Sequence, residues 1–335
     1  MKRGLVVGKF YPPHQGHSRL IRIALASTDE VTVLVIERSD QLIPGTVRAR
    51  LIKEMHPAVR VLLVPDIGLD DDALSWAKYT EEILGYRPDK VFAAGPDKEA
   101  YAGYLGAEFV PVDPGRNIVP ISATEVRSDP YAHWDRLEPP VRALLAKRIV
   151  LVGPESTGKT TLAKKLAERF GTAWVPEYGR FFSEGKGLSG GPWKTREFEH
   201  IADTQNRMED ALAYSANRVL ICDTNAWATG IWHRRYLGER SPRVDAYSSG
   251  REYDRYLLTA PDVPFVDDGL RDGESVRSDM FGWFREALDA AGATYEVISG
   301  SYDERYDRAA LAVERTLALP ARVFSGFPKN IVEIA

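Results

Sequence analysis

The stretch RIVLVGPESTGKTTLAKKLAERFG, residues 148–171, runs from an apolar segment through a glycine-marked turn into a lysine-rich amphipathic segment. That order reads as strand, loop, helix. Gly153, Gly158, Lys159 and Thr160 fit the pattern G-x-x-x-x-G-K-[ST]. The bare pattern arises by chance in roughly one chain in a hundred of this size, and the flanking strand and helix make it more specific. Glycines let backbone N–H groups wrap a phosphate, and the helix N-terminus faces that anion. Lysine reaches the outer phosphates and the threonine hydroxyl takes Mg²⁺. The expected ATP-binding set is therefore Gly153, Glu155, Ser156, Thr157, Gly158, Lys159, Thr160 and Thr161.

Carboxylates should stand near such a loop. NRVLICD, residues 217–223, is an apolar run ending in Asp223, the expected position of a carboxylate holding the Mg²⁺ shell together with Thr160. TAWVPEYGR, residues 172–180, places Glu177 at another strand end. A kinase acting on a hydroxyl needs a carboxylate within hydrogen-bond reach of it. Glu177 is the first candidate and Asp223 the second, and an ion pair between Glu177 and Arg180 is the competing reading. DDGLRDGESVR, residues 267–277, offers Arg271 and Arg277, which either close on the transferred phosphoryl or form a solvated charged turn. Cys222 reads as a small buried strand residue rather than a nucleophile. SEGKGLSGGPWK, residues 183–194, reads as a Gly-rich loop, and the run from Thr195 as an amphipathic structural helix with no chemistry.

Toward the N-terminus the same alternation occurs independently. RGLVVG, VTVLVIE, RVLLVP, DKVFAAG and AEFVPVD are strand-like, separated by helical patterns such as HSRLIRIALAS and TVRARLIKEM. Nearly all-apolar strands alternating with helices imply a parallel sheet covered on both faces, with ligands at the carboxyl ends of the strands. The fold class is α/β, with two domains, each built on a parallel sheet. Pro139 and Pro140 punctuate a polar arm, after which the pattern restarts, so the expected domains are 1–146 and 147–335.

The first strand leads into GKFYPPHQGH, residues 8–17. His14 and His17 follow the strand directly, with Gly16 keeping the backbone thin. Imidazole N–H donors beside a helix N-terminus make a phosphate site. Zinc is the rival ligand, but no Cys or HExxH pattern nearby supplies further ligands. His56, His133 and His200 read as ordinary surface or core residues.

Composition narrows the classes. A chain of 335 residues with 44% hydrophobic and 27% charged residues is globular and large enough for two cores. A net charge of −4 gives no bulk attraction to nucleic acid. One cysteine excludes an intrachain disulfide and fits a reducing cytoplasm. No apolar run approaches the ~18 residues that span a bilayer, so no membrane partner is expected. Self-association is left open.

GKFYPPHQGH resembles the HxGH signature of the nucleotidylyltransferases, and ISATEVR, residues 121–127, resembles their second signature, I-S-x-T-x-x-R. Together with VDPGRNIVPISATEVR, VPEYGRFF, CDTNAW and DDGLRDGE, these segments resemble the NadR family over nearly the whole chain. That family joins a nicotinamide-nucleotide adenylyltransferase to a ribosylnicotinamide kinase. The resemblance implies a Rossmann-like first domain and a P-loop kinase second domain. It implies ATP as co-substrate in both, Mg²⁺ as cofactor, and nicotinamide riboside, nicotinamide mononucleotide (NMN) and NAD as ligands. The residues carried over for ATP in the first domain are Gly8, Lys9, Phe10, His14, His17, Ser122, Thr124 and Arg127, with His14, His17 and Arg127 catalytic. In the second domain Lys159, Glu177 and Asp223 are catalytic. Trp76, Tyr178, Arg180 and Trp227 are candidates for holding the nicotinamide riboside portion, since aromatic faces suit a flat cationic ring. Some members carry an N-terminal helix-turn-helix. This sequence begins two residues before its first strand, so a DNA-binding role is not expected. Two other readings fit the same phosphate motifs: another adenylyltransferase joined to a different small-molecule kinase, and a regulatory protein that senses NAD or ATP.

Overall fold

The computed structural model describes residues 1–68, 72–189, 191–265, 274–320 and 332–334. The chain divides into two compact units, Met1–Val141 with Ala321–Ala335, and Arg142–Pro320.

In the first unit, strands β1 (Arg3–Gly8), β2 (Glu30–Glu37), β3 (Arg60–Pro65), β4 (Lys90–Ala93) and β5 (Glu108–Pro111) pair in parallel in the order β3-β2-β1-β4-β5. Alternate residues point to opposite faces of the sheet. Val6, Val33 and Val61 pack with Ile21 and Ala24 of the helix Gln15–Ser27 and Ile52 of the helix Gly45–Met55. Leu5, Leu34, Leu62 and Val91 pack on the other face with Ala77 and Leu84 of the helix Ala73–Leu84. Both faces are buried, which is why the strands read as unbroken apolar runs. The strand order reverses between β1 and β4, so the switch point opens at the carboxyl end of β1, where GKFYPPHQGH begins.

In the second unit, β6 (Lys147–Val152), β7 (Trp174–Val175), β8 (Val219–Asp223), β9 (Arg255–Thr259) and β10 (Tyr295–Ile298) are all parallel, in the order β10-β9-β6-β8-β7. Ile149, Leu151, Ile221, Leu257 and Ile298 form the core with Leu162 and Leu166 of the helix Lys159–Phe170 and Val313 of the helix Tyr302–Leu317. Here the switch point lies between β6 and β8, at the glycine-marked loop.

Two expectations are corrected. The second domain does not run to residue 335. A last strand, β11 (Val332–Ile334), pairs antiparallel with β3 in the first sheet, so that sheet is not purely parallel. Without β11 the ladder groups of β3 would form an open edge. Arg60 grips Glu333 at 2.9 and 3.0 Å. A three-residue strand has too little periodicity to be read from sequence. The segment from residue 183 is also not a loop throughout, because a helix runs over Tyr178–Ser189. Glycine lowers helix propensity without forbidding the helix.

Candidate functional site

The turn after β1 is organised by its own imidazoles. His14 is the extended N-cap of the helix Gln15–Ser27, and its Nδ1 accepts the Gly16 N–H at 3.1 Å. The Nδ1 of His17 accepts the His14 N–H at 3.3 Å. Each neutral ring therefore carries its proton on Nε2. A Cβ at residue 16 would lie 2.9 Å from the His14 ring, so only glycine fits there. The ring centroids are 3.8 Å apart, and Phe10 meets His17 edge-on at 5.0 Å. Burial, helped by the charge of Arg116, lowers the His14 pKa to about 4. Burial, His14 and Arg116 hold His17 well below the ordinary range. Both rings are neutral donors at neutral pH.

The second signature reaches this turn from about 110 residues away. Ser122 caps the helix Ala123–Ser128 in a reciprocal box with Glu125. Arg127 donates to the Tyr11 carbonyl at 2.7 Å and to Thr124 Oγ1 at 2.9 Å, and lies over the Tyr11 ring at 4.9 Å. Gly8, Lys9, Phe10, His17, Arg127 and Trp76 all line one cleft of about 730 Å³. His14, Ser122 and Thr124 do not line it: His14 is buried against the His17 ring, Ser122 caps the helix that carries Arg127, and Thr124 accepts from Arg127. Arg38, Asp40, Gln41 and Asp66 also line this cleft and had no sequence signal. Arg48 was equally hidden. It is fully buried and donates to the carbonyls of Lys9, Ile36 and Ile43 and to Gln41. Burial lowers its pKa to about 10, still cationic at neutral pH.

In the second unit the loop after β6 passes close to β9. A Cβ on Gly153 would lie 2.5 Å from Thr259 Oγ1, and its φ is +142°. Gly158, φ +81°, leads into the helix Lys159–Phe170. Lys159 donates to the carbonyls of Gly153 and Pro154 at 3.0 and 2.8 Å. Thr160 donates to Asp223 Oδ2 at 2.6 Å. Asp223 is fully buried, and its Oδ1 has no hydrogen-bond partner. Burial raises its pKa against the opposing charge of Lys159. An orphaned buried carboxylate oxygen beside a threonine hydroxyl fits a divalent cation. No group of three or more His, Cys, Asp or Glu among the described residues is placed to hold a metal, so such a cation would draw most ligands from phosphate and water. Burial also pushes the Cys222 thiol up.

A cleft of about 330 Å³ extends from this loop. Glu155 through Thr161, Glu177, Arg180, Trp193, Phe198, Trp232 and Tyr236 are among the residues that line it. Two aromatic candidates are not on this wall. Tyr178 bonds Gln205 through its N–H and His200 through its hydroxyl. Trp227 packs against Tyr256 and Phe284. The aromatic wall comes instead from three separated segments. One is the helix Thr195–Ala213, whose Phe198 and Ile201 line the cleft. Arg277 does not face the cleft; it donates to the carbonyls of Ser156 and Val263. Arg271 lies outside the described residues.

The geometry defines a class: a Rossmann-type unit with a histidine-bearing turn after its first strand, followed by a parallel α/β unit with a P-loop-type turn. A family model described as an AAA domain matches residues 148–305. The trifunctional NAD biosynthesis/regulator protein NadR of Escherichia coli strain K12 is 29% identical over 334 residues, covering 91% of this chain and 81% of that protein. NadR of Salmonella typhimurium is 29% identical over 83% of this chain and 74% of its own length. A crystal structure of a NadR protein in complex with NR has a TM-score of 0.77 at 21% identity, covering 97% of this chain and 99% of that one. The chain is thus similar to NadR proteins in sequence and in fold over most of its length. No described helix is long and apolar enough to cross a membrane.

Proposed function

We propose that the chain makes NAD in two steps, phosphorylating nicotinamide riboside to NMN in the second unit and adenylylating NMN in the first, in the cytoplasm. One observation carries this reading. Each sheet has its own glycine-marked turn leading into a helix at the carboxyl end of an inner strand, in a chain similar to NadR over 91% of its length.

In the second unit, the loop amides and Lys159 hold the ATP phosphates, and Thr160 and Asp223 hold Mg²⁺, which supplies charge neutralisation at the phosphate oxygens. Glu177 faces the same cleft. It accepts the proton of the ribose 5′-hydroxyl as that oxygen bonds the γ-phosphorus and ADP departs. The Trp193, Phe198, Trp232 and Tyr236 wall suits a flat cationic ring. In the first unit, the 5′-phosphate oxygen of NMN bonds the α-phosphorus of a second ATP and pyrophosphate leaves. The nucleophile is already ionised, so no general base is needed. Arg127 and Lys9 offset the charge of the triphosphate, His17, supported by His14, donates a hydrogen bond to it, and positioning does the rest. Trp76 lines that cleft and offers an aromatic face that suits the nicotinamide ring.

The test is one assay: ATP, Mg²⁺ and nicotinamide riboside in, with NMN and NAD measured. Appearance of NMN followed by NAD is expected. Binding of ATP without NMN formation would overturn the substrate assignment.

A further inference from the structure

A phosphate cradle works only if its N–H groups point inward, and something must hold the peptide planes that way. In a planar trans peptide the carbonyl of one residue and the N–H of the next point in opposite directions. Fixing the carbonyl outward therefore fixes the amide inward. Two buried arginines do this for adjacent peptides. Arg277 Nη2 donates to the Ser156 carbonyl at 3.1 Å, and Arg305 Nη1 donates to the Thr157 carbonyl at 3.0 Å. The opposed amides belong to Thr157 and Gly158, both on the cleft wall.

Neither arginine serves the loop alone. The same Nη2 of Arg277 reaches the Val263 carbonyl at 3.0 Å. Arg305 donates to the Gly300 carbonyl at 2.9 Å and the Ala260 carbonyl at 2.8 Å, and pairs with Asp262. Each guanidinium thus ties the loop to the chain just after β9, and each is under 10% exposed. The tether matters because the loop is strained, with Ser156 at φ +54°. A cationic donor on a carbonyl also polarises its peptide and strengthens the N–H on the far side.

We infer that Arg277 and Arg305 are positioning residues, acting through the loop peptides to aim the Thr157 and Gly158 amides at bound polyphosphate. The inference rests on reading this loop as a polyphosphate cradle and not on the identity of the acceptor.

Calorimetric titration of the full chain with inorganic tripolyphosphate tests it, because Lys159→Ala identifies which binding event belongs to this loop. Arg277→Met is expected to weaken that event about tenfold, the value of one or two charge-directed hydrogen bonds, and to leave the other event unchanged. Arg277→Lys and Arg305→Lys, which keep a cationic donor, should recover part of the loss. In the kinase assay KM for ATP should rise while KM for nicotinamide riboside holds. A merely structural role predicts a lower unfolding temperature with unchanged tripolyphosphate affinity, and that result overturns the inference, as does an equal loss at both sites. If Arg305→Met does not fold, Arg277→Met and Arg305→Lys decide. Two tripolyphosphate sites in a wild-type chain that fails to phosphorylate nicotinamide riboside would remove the substrate assignment and leave this inference standing.

Discussion

The turns after β1 and β6 occupy equivalent places in their sheets and are built from different chemistry. The first uses neutral imidazole N–H groups, each locked into one tautomer by a backbone amide, with Arg127 brought from a distant helix. The second uses main-chain amides and one lysine within a single loop. The difference follows the nucleophile. A phosphate attacks without a base, so donors suffice in the first unit. A hydroxyl must lose a proton, and Glu177 lines the second cleft together with the glycine-marked loop, where it can take that role.

The largest expected effect is separation of the activities. Lys159→Ala should lower NMN formation from the riboside by at least ~10²–10³ and leave NAD formation from supplied NMN near normal. His17→Ala should do the reverse. Loss of both activities in a folded variant would show that the units do not work independently.

Next come the carboxylates. Glu177→Gln should lower kinase kcat by ~10²–10⁴ with no rescue by added Mg²⁺. Asp223→Asn should be partly rescued by Mg²⁺. Rates across a Mg²⁺ series decide, and the opposite pattern would exchange the two roles. Asp223→Asn should also stabilise the metal-free protein by about 1 kcal/mol, a rise of a few degrees in Tm. It removes a buried charge whose Oδ1 has no hydrogen-bond partner, while keeping an acceptor for Thr160. A fall in Tm would mean that the carboxylate is already compensated.

A smaller effect belongs to the histidine turn. His14 titrates near 4 when folded, and the unfolded side chain titrates near 6.5. Between those values the unfolded chain binds the extra proton, so this contribution is complete above about pH 6.5 and is lost as pH falls toward 4. Urea unfolding midpoints should drop through that window, less steeply in His14→Gln. The imidazole NMR shifts of both histidines should stay flat from pH 6 to 8. The smallest effect is Glu333→Ala, whose exposed pair with Arg60 contributes under about 1 kcal/mol. A larger destabilisation would show that β11 is held mainly by this pair.

Local features were legible in advance. Both turns are contiguous, because a strand end, a glycine and a helix start must follow one another in the chain. Asp223 and Glu177 were legible as strand-end carboxylates for the same reason. Arg277 was visible as a charge near the loop, but its direction was not. Sequence cannot say whether a guanidinium meets a phosphate or the back of the peptide that binds one. Arg48 and Arg305 gave no signal, since a buried arginine is defined by the carbonyls that surround it.

The amino-acid sequence by itself determined the two alternating α/β halves and the strand-turn-helix order at the histidine and glycine motifs, because these depend on periodicity and on neighbours a few residues apart. Only the tertiary structure decided which aromatic rings wall the second cleft, where Arg277 is spent, and that β11 closes the first sheet. Those outcomes depend on segments separated by tens to hundreds of residues meeting at one place, where burial obliges each polar group to find a partner.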